Sequence, residues 1–488
     1  MDLKNLIKEL EVESIYGPID VQIDNIHYDS RLIKPGGLFI CIEGFMTDGH
    51  NYINEAIENG AVAIAVEKEI HEDRVPIIRF KNTRRAMASI ASNFYGKPSQ
   101  LLDMIGVTGT NGKTSVTYII KSILENYDRK TAIIGTLATL INNEKMYSAR
   151  TTPESLDLQG LFRKMIDGDV DTCIMEVSSH SLELNRVDEV SFKVGIFTNL
   201  TPDHLDFHST MDNYREAKKK LFYKTTHCNI INLDDEAGRI IVKDIKNLDT
   251  PLLTYSINNP ADFVAENIHN NGKELSFDVV GPENFNIKLT LKTPALFAVY
   301  NALASIACCY SLGVPADIIA DGLNAFIGVP GRFQSIDGLK EFSAVVDYAH
   351  TPDALENVLK AAKEFTKNKL ITVFGCGGDR DQTKRPVMGE IAGKYSDFSI
   401  ITSDNPRSED PYVILSMIEE GIKRTKGNYI IIEDRKEAIR EAVKMAEAGD
   451  LIVIAGKGHE TTQIVKDRVL VFDDKQVVLE VAGEEGRI

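Results

Sequence analysis

The 488-residue chain has no CxxC pair, no apolar run of membrane-spanning length, no excess of basic residues and no internal repeat or low-complexity tract. Each absence removes a class of protein. The six cysteines, Cys41, Cys173, Cys228, Cys308, Cys309 and Cys376, are scattered, most of them in apolar runs. That usage reads as reduced core residues of a cytosolic protein and excludes a disulfide framework or a zinc site. A net charge of −17 argues against a nucleic-acid partner, because a phosphate backbone is met by a basic face. It leaves room for small anionic substrates held by local arginines and lysines. The N-terminus, Met1-Asp-Leu-Lys-Asn-Leu-Ile-Lys, lacks the long apolar segment of a signal peptide, and no membrane insertion is expected. A chain of this length predicts about two to four domains, each with its own core.

What is present is organised around residues 103–114, Asp-Met-Ile-Gly-Val-Thr-Gly-Thr-Asn-Gly-Lys-Thr. Met104 to Val107 reads as a buried strand, and a helical pattern runs from Ser115 to about Tyr127. Between them lies a Gly-rich turn, so backbone N–H groups and the helix dipole converge where a phosphate would sit. Lys113 is placed to reach outer phosphates, and the Thr114 hydroxyl to ligate magnesium. The strict pattern wants glycine five residues before Gly112, where Val107 stands, so this is a variant loop. Its place between strand and helix favours nucleotide binding over a plain Gly-rich connection.

The rest alternates strand and helix. In residues 1 to about 100, strands are expected at Val21–His27, Leu38–Ile42, Ala61–Val66 and Ile77–Phe80, with helices at Tyr52–Asn59 and Thr83–Tyr95. Asp29-Ser30-Arg31 and the 44–50 turn read equally as ordinary turn chemistry. From 101 to about 330, strands at 104–107, 131–134, 172–177, 193–198 and 228–233 predict a mostly parallel sheet with ligands at its carboxyl ends. An antiparallel edge is expected over 252–291, then helices at Pro294–Ser311 and Pro315–Ala325, and a hinge at Gly328–Phe333. A second doubly wound unit follows, with strands Ala344–Asp347, Leu370–Phe374, Phe398–Thr402, Tyr429–Ile432 and Leu451–Ala455.

Polar groups cluster at these strand ends. Glu176 closes one strand and His204 follows the next, either as magnesium ligands or as capping and core hydrogen bonders. In the helix from Asp212, Lys218 shares a face with Tyr214, Leu221 and Phe222. It is either a snorkelling lysine or one with a shifted pKa or a chemical modification beside a metal. In the last unit, Asp347-Tyr-Ala-His350, the 375–385 loop, Asp404-Asn405-Pro406-Arg407 and Gly456-Lys-Gly-His-Glu460 all follow strands. Arg385 and Arg407 suit carboxylates, and Asp404 and Glu460 suit an ammonium, so a zwitterionic amino acid with an extra carboxylate is implied.

With Asp29-Ser30-Arg31, Gly106 to Thr114, Thr151-Thr152-Pro153, Glu176-Val-Ser-Ser-His180, Asp203-His-Leu-Asp206, Ala217-Lys218, Tyr300-Asn301, Pro330-Gly-Arg332 and the last-unit motifs in this order, the whole chain resembles the Mur ligase family. The resemblance implies an α/β chain of three domains: 1–98 for the UDP end of a substrate, 99–331 a central P-loop ATPase with a parallel sheet, and 332–488 a Rossmann-like amino-acid domain. It implies that Thr108, Gly109, Thr110, Asn111, Gly112, Lys113, Thr114, Asn301 and Arg332 bind ATP. Thr114, Glu176, His204 and a carbamylated Lys218 would serve Mg²⁺, with Asp347 and His350 near the ATP. Ser30, Thr151, Thr152, Ser178 and Arg186 would hold a UDP-MurNAc-dipeptide.

Members that add meso-diaminopimelate carry Asp-Asn-Pro-Arg, present here as Asp404, Asn405, Pro406 and Arg407; Arg385, Gly456 and Glu460 would complete that pocket. Arg407 attracts the distal carboxylate and repels the ammonium of lysine. The implied activity is ATP-dependent amide formation through an acyl phosphate, in a cytoplasmic monomer that closes around its small-molecule substrates. The 44–48 turn and Leu184-Asn185 depart from a family pattern in which a Gln contacts the sugar nucleotide. A lysine-adding relative, a folylpolyglutamate synthase and a nucleotide-switched binding protein are the competing readings. The intact Asp404–Arg407 loop and the N-terminal domain oppose the first two. Lys218 and four polar strand ends oppose the third.

Overall fold

The computed structural model describes residues 1–44, 47–146, 150–271 and 274–488. Phe45 and Met46 of the 44–48 turn lie outside the described residues. Among the described residues three large sheets follow one another along the chain, with a two-stranded fourth near its end. The first orders its strands Val12–Tyr16, Ile77–Phe80, Ala61–Val66, Gly37–Ile40 and Asn25–His27. All neighbours are parallel except the edge strand Val12–Tyr16. Ala61–Val66 reads as a continuous apolar run because both of its faces are covered. Apolar clusters fill the two sides.

The second sheet has eleven strands. At its heart Asp103–Thr108 pairs in parallel with Thr172–Glu176 on one side and Phe192–Phe197 on the other. From Asp103–Thr108 the chain crosses toward Thr131–Ile134, and from Phe192–Phe197 it crosses the other way to Thr225–Asn232. The crevice between those two strands is therefore the topological switch point, where open α/β sheets bind ligands. The 252–291 segment departs from expectation. Leu252–Ser256 joins the parallel block beside Thr225–Asn232, and antiparallel pairing starts only between Phe263–Asn270 and Leu275–Val280. The hairpin Thr139–Ile141 with Glu144–Met146 extends the opposite edge.

Helix Phe297–Ser311 is apolar around almost its whole circumference, as befits a helix packed on every side. It lies against the Lys113–Asn126 helix within the largest apolar cluster and brings Asn301 beneath the phosphate loop.

The third sheet runs Gln334–Ser335, Ser343–Asp347, Leu451–Ala455, Leu370–Phe374, Phe398–Ile401 and Asn428–Ile431. The five longer strands are parallel, with apolar layers on both faces. Hairpin Thr462–Val465 with Arg468–Val471 and helix Asp474–Glu484 complete the unit. A buried ion pair ties that last helix to the carboxyl ends of the strands. The Arg435 guanidinium, fully buried, donates from Nε and Nη2 to the two oxygens of Asp474 at 2.7 Å each. It also reaches the carbonyls of Ala455 at 3.1 Å and Ser403 at 3.4 Å. Asp474 holds the Arg435 pKa up despite the burial.

Breaking one half of such a pair strands a buried charge. Asp474→Ala should lower the stability of this unit by about 3–5 kcal/mol, whereas Arg435→Met with Asp474→Leu should restore most of it. Hydrogen exchange of strand Leu451–Ala455 reads both, and full protection in the single variant would contradict the assignment.

Candidate active site

The phosphate loop, 108–114, leaves strand Asp103–Thr108 at the switch point. Gly109 has φ +148 and Gly112 φ +87. A Cβ at 109 would lie 1.8 Å from Thr198 Oγ1, and one at 112 would lie 2.5 Å from Asn301 Oδ1, so only glycine fits either place. Gly112 is the N-cap of helix Lys113–Asn126, and no side chain caps it. The first-turn N–H groups thus remain available to an anion.

Lys113 Nζ donates to the carbonyls of Gly109 at 2.9 Å and Thr110 at 2.8 Å. Lys218 Nζ donates to the same Gly109 carbonyl at 2.8 Å and lies 4.4 Å from the Tyr214 ring centre. Of the two readings of Lys218, snorkelling fails: the residue is 1 % exposed. Burial, reinforced by the neighbouring Lys113 charge, lowers the Lys218 pKa well below that of an ordinary lysine. Burial likewise lowers that of Lys113.

Glu176, almost fully buried at the end of its strand, accepts from Thr114 Oγ1 at 2.9 Å and from the N–H and hydroxyl of Thr136 at 2.9 and 3.1 Å. Octahedral magnesium, with bonds of about 2.1 Å, sets adjacent ligand oxygens about 3 Å apart. The Thr114–Glu176 oxygen pair therefore fits that ion. His204, at φ +53, sits edge-on to His180 at 4.8 Å and to Tyr214 at 6.2 Å. Burial and the two neighbouring imidazoles push the His180 pKa down to about 4. Among the described residues no three His, Cys, Asp or Glu side chains converge as a metal site. A lysine ammonium is no ligand, and a neutral amine is a poor one for magnesium, which prefers oxygen.

Beside the loop opens a cavity of 450 Å³, lined by Asn111, Gly112, Asp234, Tyr300, Asn301, Arg332 and Asp347, a volume suited to a nucleotide. Buried Arg332 Nε has no hydrogen-bond partner among the described residues, and its guanidinium lies 5.0 Å from the Tyr348 ring centre. Asp347 accepts from Phe333 N at 2.6 Å and Ala349 N at 2.8 Å. Burial raises its pKa, against the pull of Arg332. His350 lies nearby, its Nδ1 donating to Tyr348 O at 2.8 Å. Asp353, not singled out in the sequence, bridges the units: Asn111 Nδ2 and Thr201 Oγ1 donate to it at 3.1 and 2.7 Å.

Farther along the third sheet, four loops meet. Asp404 packs so closely on Gly456 that a Cβ there would be 2.5 Å from its Oδ2. Asn405 donates to Glu460 at 2.8 Å, and fully buried Lys457 joins Asn405 Oδ1 at 3.3 Å to Glu460 at 3.0 Å. The carbonyl of Pro406 lies 1.9 Å from where a Cβ on Gly378 would stand, locking the two loops together. Arg407 adopts φ +52, held by the hairpin through Ile464 O at 3.1 Å and Lys466 N at 2.7 Å. Its Nη1 donates to Gly378 O at 2.7 Å.

The expected use of Arg385 needs correction. Its side chain is fully buried and both fork nitrogens are taken by Glu409 at 2.8 and 2.9 Å, so it braces the loop. The exposed arginine of this loop is Arg380, flanking Gly377 opposite Arg407. Helix Lys384–Tyr395 starts one residue before Arg385 and turns it inward.

Near Glu176, Thr152 Oγ1 donates to the Glu176 carbonyl at 2.8 Å and accepts from Ser178 N at 3.1 Å. Thr151 meets Thr136 at 3.0 Å, and Arg186 Nη1 donates to Thr152 O at 3.0 Å. Ser30 makes none of these contacts; its hydroxyl is on Glu55 at 2.7 Å. A second cavity, 630 Å³, lies between the first and central units, with Tyr28, Tyr95, Arg150 and Asp157 in its wall.

Comparison with known proteins agrees along the whole chain. Residues 22–95 match the profile described as Mur ligase family, catalytic domain. Residues 107–309 match the Mur ligase middle domain, and residues 331–458 the Mur ligase glutamate ligase domain. The UDP-N-acetylmuramoyl-L-alanyl-D-glutamate–2,6-diaminopimelate ligase of Alkaliphilus metalliredigens is 56% identical, covering 100% of this chain and 98% of that protein. The protein of the same name from Clostridioides difficile is 50% identical over 98% of this chain and 99% of its own. A solved structure bearing that name superposes with a TM-score of 0.71 at 31% identity, covering both chains fully. The D-alanyl-D-alanyl-adding ligase of Acinetobacter baumannii, at 19% identity, a TM-score of 0.62 and coverage of 94% and 95%, shares the fold. The chain belongs to the Mur ligase family.

Proposed function

We propose that this protein joins the amine of meso-diaminopimelate to the γ-carboxylate of D-glutamate in UDP-N-acetylmuramoyl-L-alanyl-D-glutamate, using ATP, as a step of peptidoglycan synthesis. The observation that carries the reading is the Asp404–Arg407 turn: hydrogen bonds and close packing gather Arg407 with the carboxylates of Asp404 and Glu460 at one end of the third sheet, on the unit that Asp353 ties to the phosphate loop. Relatives of that name, alike over the full chain, support it. The division of labour follows 1–98 for the UDP end, 99–331 for ATP and 332–488 for the amino acid, in a cytoplasmic monomer.

In this reading the γ-carboxylate attacks the γ-phosphorus of ATP, giving an acyl phosphate and ADP. The diaminopimelate amine then attacks the acyl carbon, and the tetrahedral intermediate expels phosphate. The open N–H groups at Gly112 and Lys113 and the Lys113 ammonium meet the charge that develops on the transferred group. Thr114, Glu176, His204 and Lys218 as a carbamate would hold magnesium, which supplies further charge neutralisation there. Thr151, Thr152, Ser178 and Arg186 orient the dipeptide end beside Glu176, while Ser30 belongs to the UDP end. Arg407 pairs the distal carboxylate, Arg380 adds a second exposed cation, and Asp404 and Glu460 meet the ammonium.

ADP release with the UDP-dipeptide present, compared between meso-diaminopimelate and L-lysine and followed by mass analysis of the product, tests this function. Turnover with diaminopimelate and almost none with lysine is expected; equal turnover would sink the specificity argument. Arg407→Ala should cut kcat/KM for diaminopimelate by about a hundredfold, the scale of losing one side of a close charge pair. Arg380→Ala should cost less.

A lysine whose pKa is lowered by burial keeps more of its amine neutral and nucleophilic than an ordinary lysine does. Lys218 Nζ can add to CO₂, release a proton and become a carbamate, a second anion beside Glu176 for the metal set. Below the lowered pKa the amine is protonated and the carbamate is lost. Activity should fall in CO₂-free buffer and return with bicarbonate, and a ¹³CO₂-derived carbonyl signal should vanish in Lys218→Arg. Activity indifferent to CO₂, with no such signal, would refute the carbamate.

A further inference from the structure

Helix Ser155–Asp167 begins at Glu154, whose side chain makes no capping hydrogen bond. Short Ser, Thr, Asp and Asn lead at this position because they reach back to the helix N–H groups. Glu154 spends its carboxylate elsewhere. At 5% side-chain exposure it sits among three guanidiniums: Arg84 Nη1 at 3.1 Å, Arg150 Nη1 at 2.7 Å and Arg186 Nη2 at 3.0 Å. Arg84 comes from helix Thr83–Phe94 of the first unit, whereas Arg150 and Arg186 belong to the central one. Arg186 is fixed from its other nitrogen by Thr152 O, and its buried Nε has no hydrogen-bond partner among the described residues. Glu154 and Arg150 also line the 630 Å³ cavity between the units.

Three guanidiniums converge on the one Glu154 carboxylate, with Asp157 also facing Arg150, in a place where burial lowers the Arg186 pKa. Arg84 and Arg186 are mostly buried and share that single carboxylate, and positive charge held this way at a cavity wall invites an anion. The helix would be served as well by a serine, so the glutamate is there for the arginines.

We propose that Glu154 is a positioning residue for substrate binding: it aims Arg186 and Arg150 at the anionic part of the UDP-linked substrate and, through Arg84, fixes the first unit against the central one. The inference rests on the proposed function for the identity of that substrate.

Calorimetric titration of the full chain with UDP-N-acetylmuramoyl-L-alanyl-D-glutamate, with steady-state kinetics alongside, tests it. Glu154→Gln should weaken binding and raise the KM for this substrate by about tenfold, the scale of coupling within a shared ion-pair network. Its kcat and its KM for ATP and diaminopimelate should stay unchanged, the signature of lost uniform binding. Glu154→Asp should recover part of the loss, and Arg84→Met should shift the same KM by a smaller factor. Unchanged or tighter binding by Glu154→Gln would overturn the proposal, because the carboxylate would then only compete with the substrate. Should that variant not fold, an unchanged KM in Arg84→Met overturns it. A wild type that binds no UDP substrate takes down the proposed function and this inference together; a binding wild type with equal variants takes down this inference alone.

Discussion

Two lysine side chains, Lys113 and Lys218, direct their amines at one carbonyl oxygen, that of Gly109. Burial penalises charge on both and lowers their pKa values, so the pair carries its full positive charge only when negative charge comes to meet it. Much else in the protein follows from this constraint. The glycines at 109 and 112 let the loop close tightly enough for both amines to reach it. Uncapped N–H groups of helix Lys113–Asn126 add positive potential on the same side. Glu176, the nearby buried carboxylate, is already engaged by Thr114 and Thr136. The site is built to receive phosphate oxygens and further anionic ligands.

Parallel sheets provide the means. Because strand ends of one polarity collect on one side, Glu176, Thr198 and the phosphate loop meet at the switch point of the central sheet. Asp347, Gly375, Asp404 and Gly456 meet in the same way at the third. The two collections are joined by short contacts, Asn111 and Thr201 to Asp353, and Arg332 to Tyr348. A reaction that couples phosphoryl transfer to amine attack needs that adjacency, since the activated carboxyl group must reach the amine before water does.

How much of this could be read from residues alone depended on burial. Strands covered on both faces, such as Ala61–Val66, Leu370–Phe374 and Leu451–Ala455, declare themselves as apolar runs and lie where they were expected. The phosphate loop is legible because its chemistry demands particular residue types. The edge strand Val12–Tyr16 and the hairpin strand Arg468–Val471 are largely exposed and carry no pattern to find. Lys218 was half legible: helical spacing turns it inward, but the carbonyl it meets comes from 109 residues away. Arg385 and Arg380 could not be told apart, because nothing local says that Glu409 claims one of them. Glu154 was hidden in the same way, since two of its three partners, Arg84 and Arg186, come from distant places in the chain.

The central claim is that the phosphate loop serves to activate a carboxylate by phosphorylation. It is tested most directly by following oxygen. UDP-N-acetylmuramoyl-L-alanyl-D-glutamate carrying ¹⁸O in both γ-carboxylate oxygens is turned over with ATP and meso-diaminopimelate, and the phosphate released is weighed. An acyl phosphate transfers one carboxylate oxygen, so inorganic phosphate should carry a single ¹⁸O and the new amide should keep the other. Unlabelled phosphate, or label found in AMP, would contradict the account.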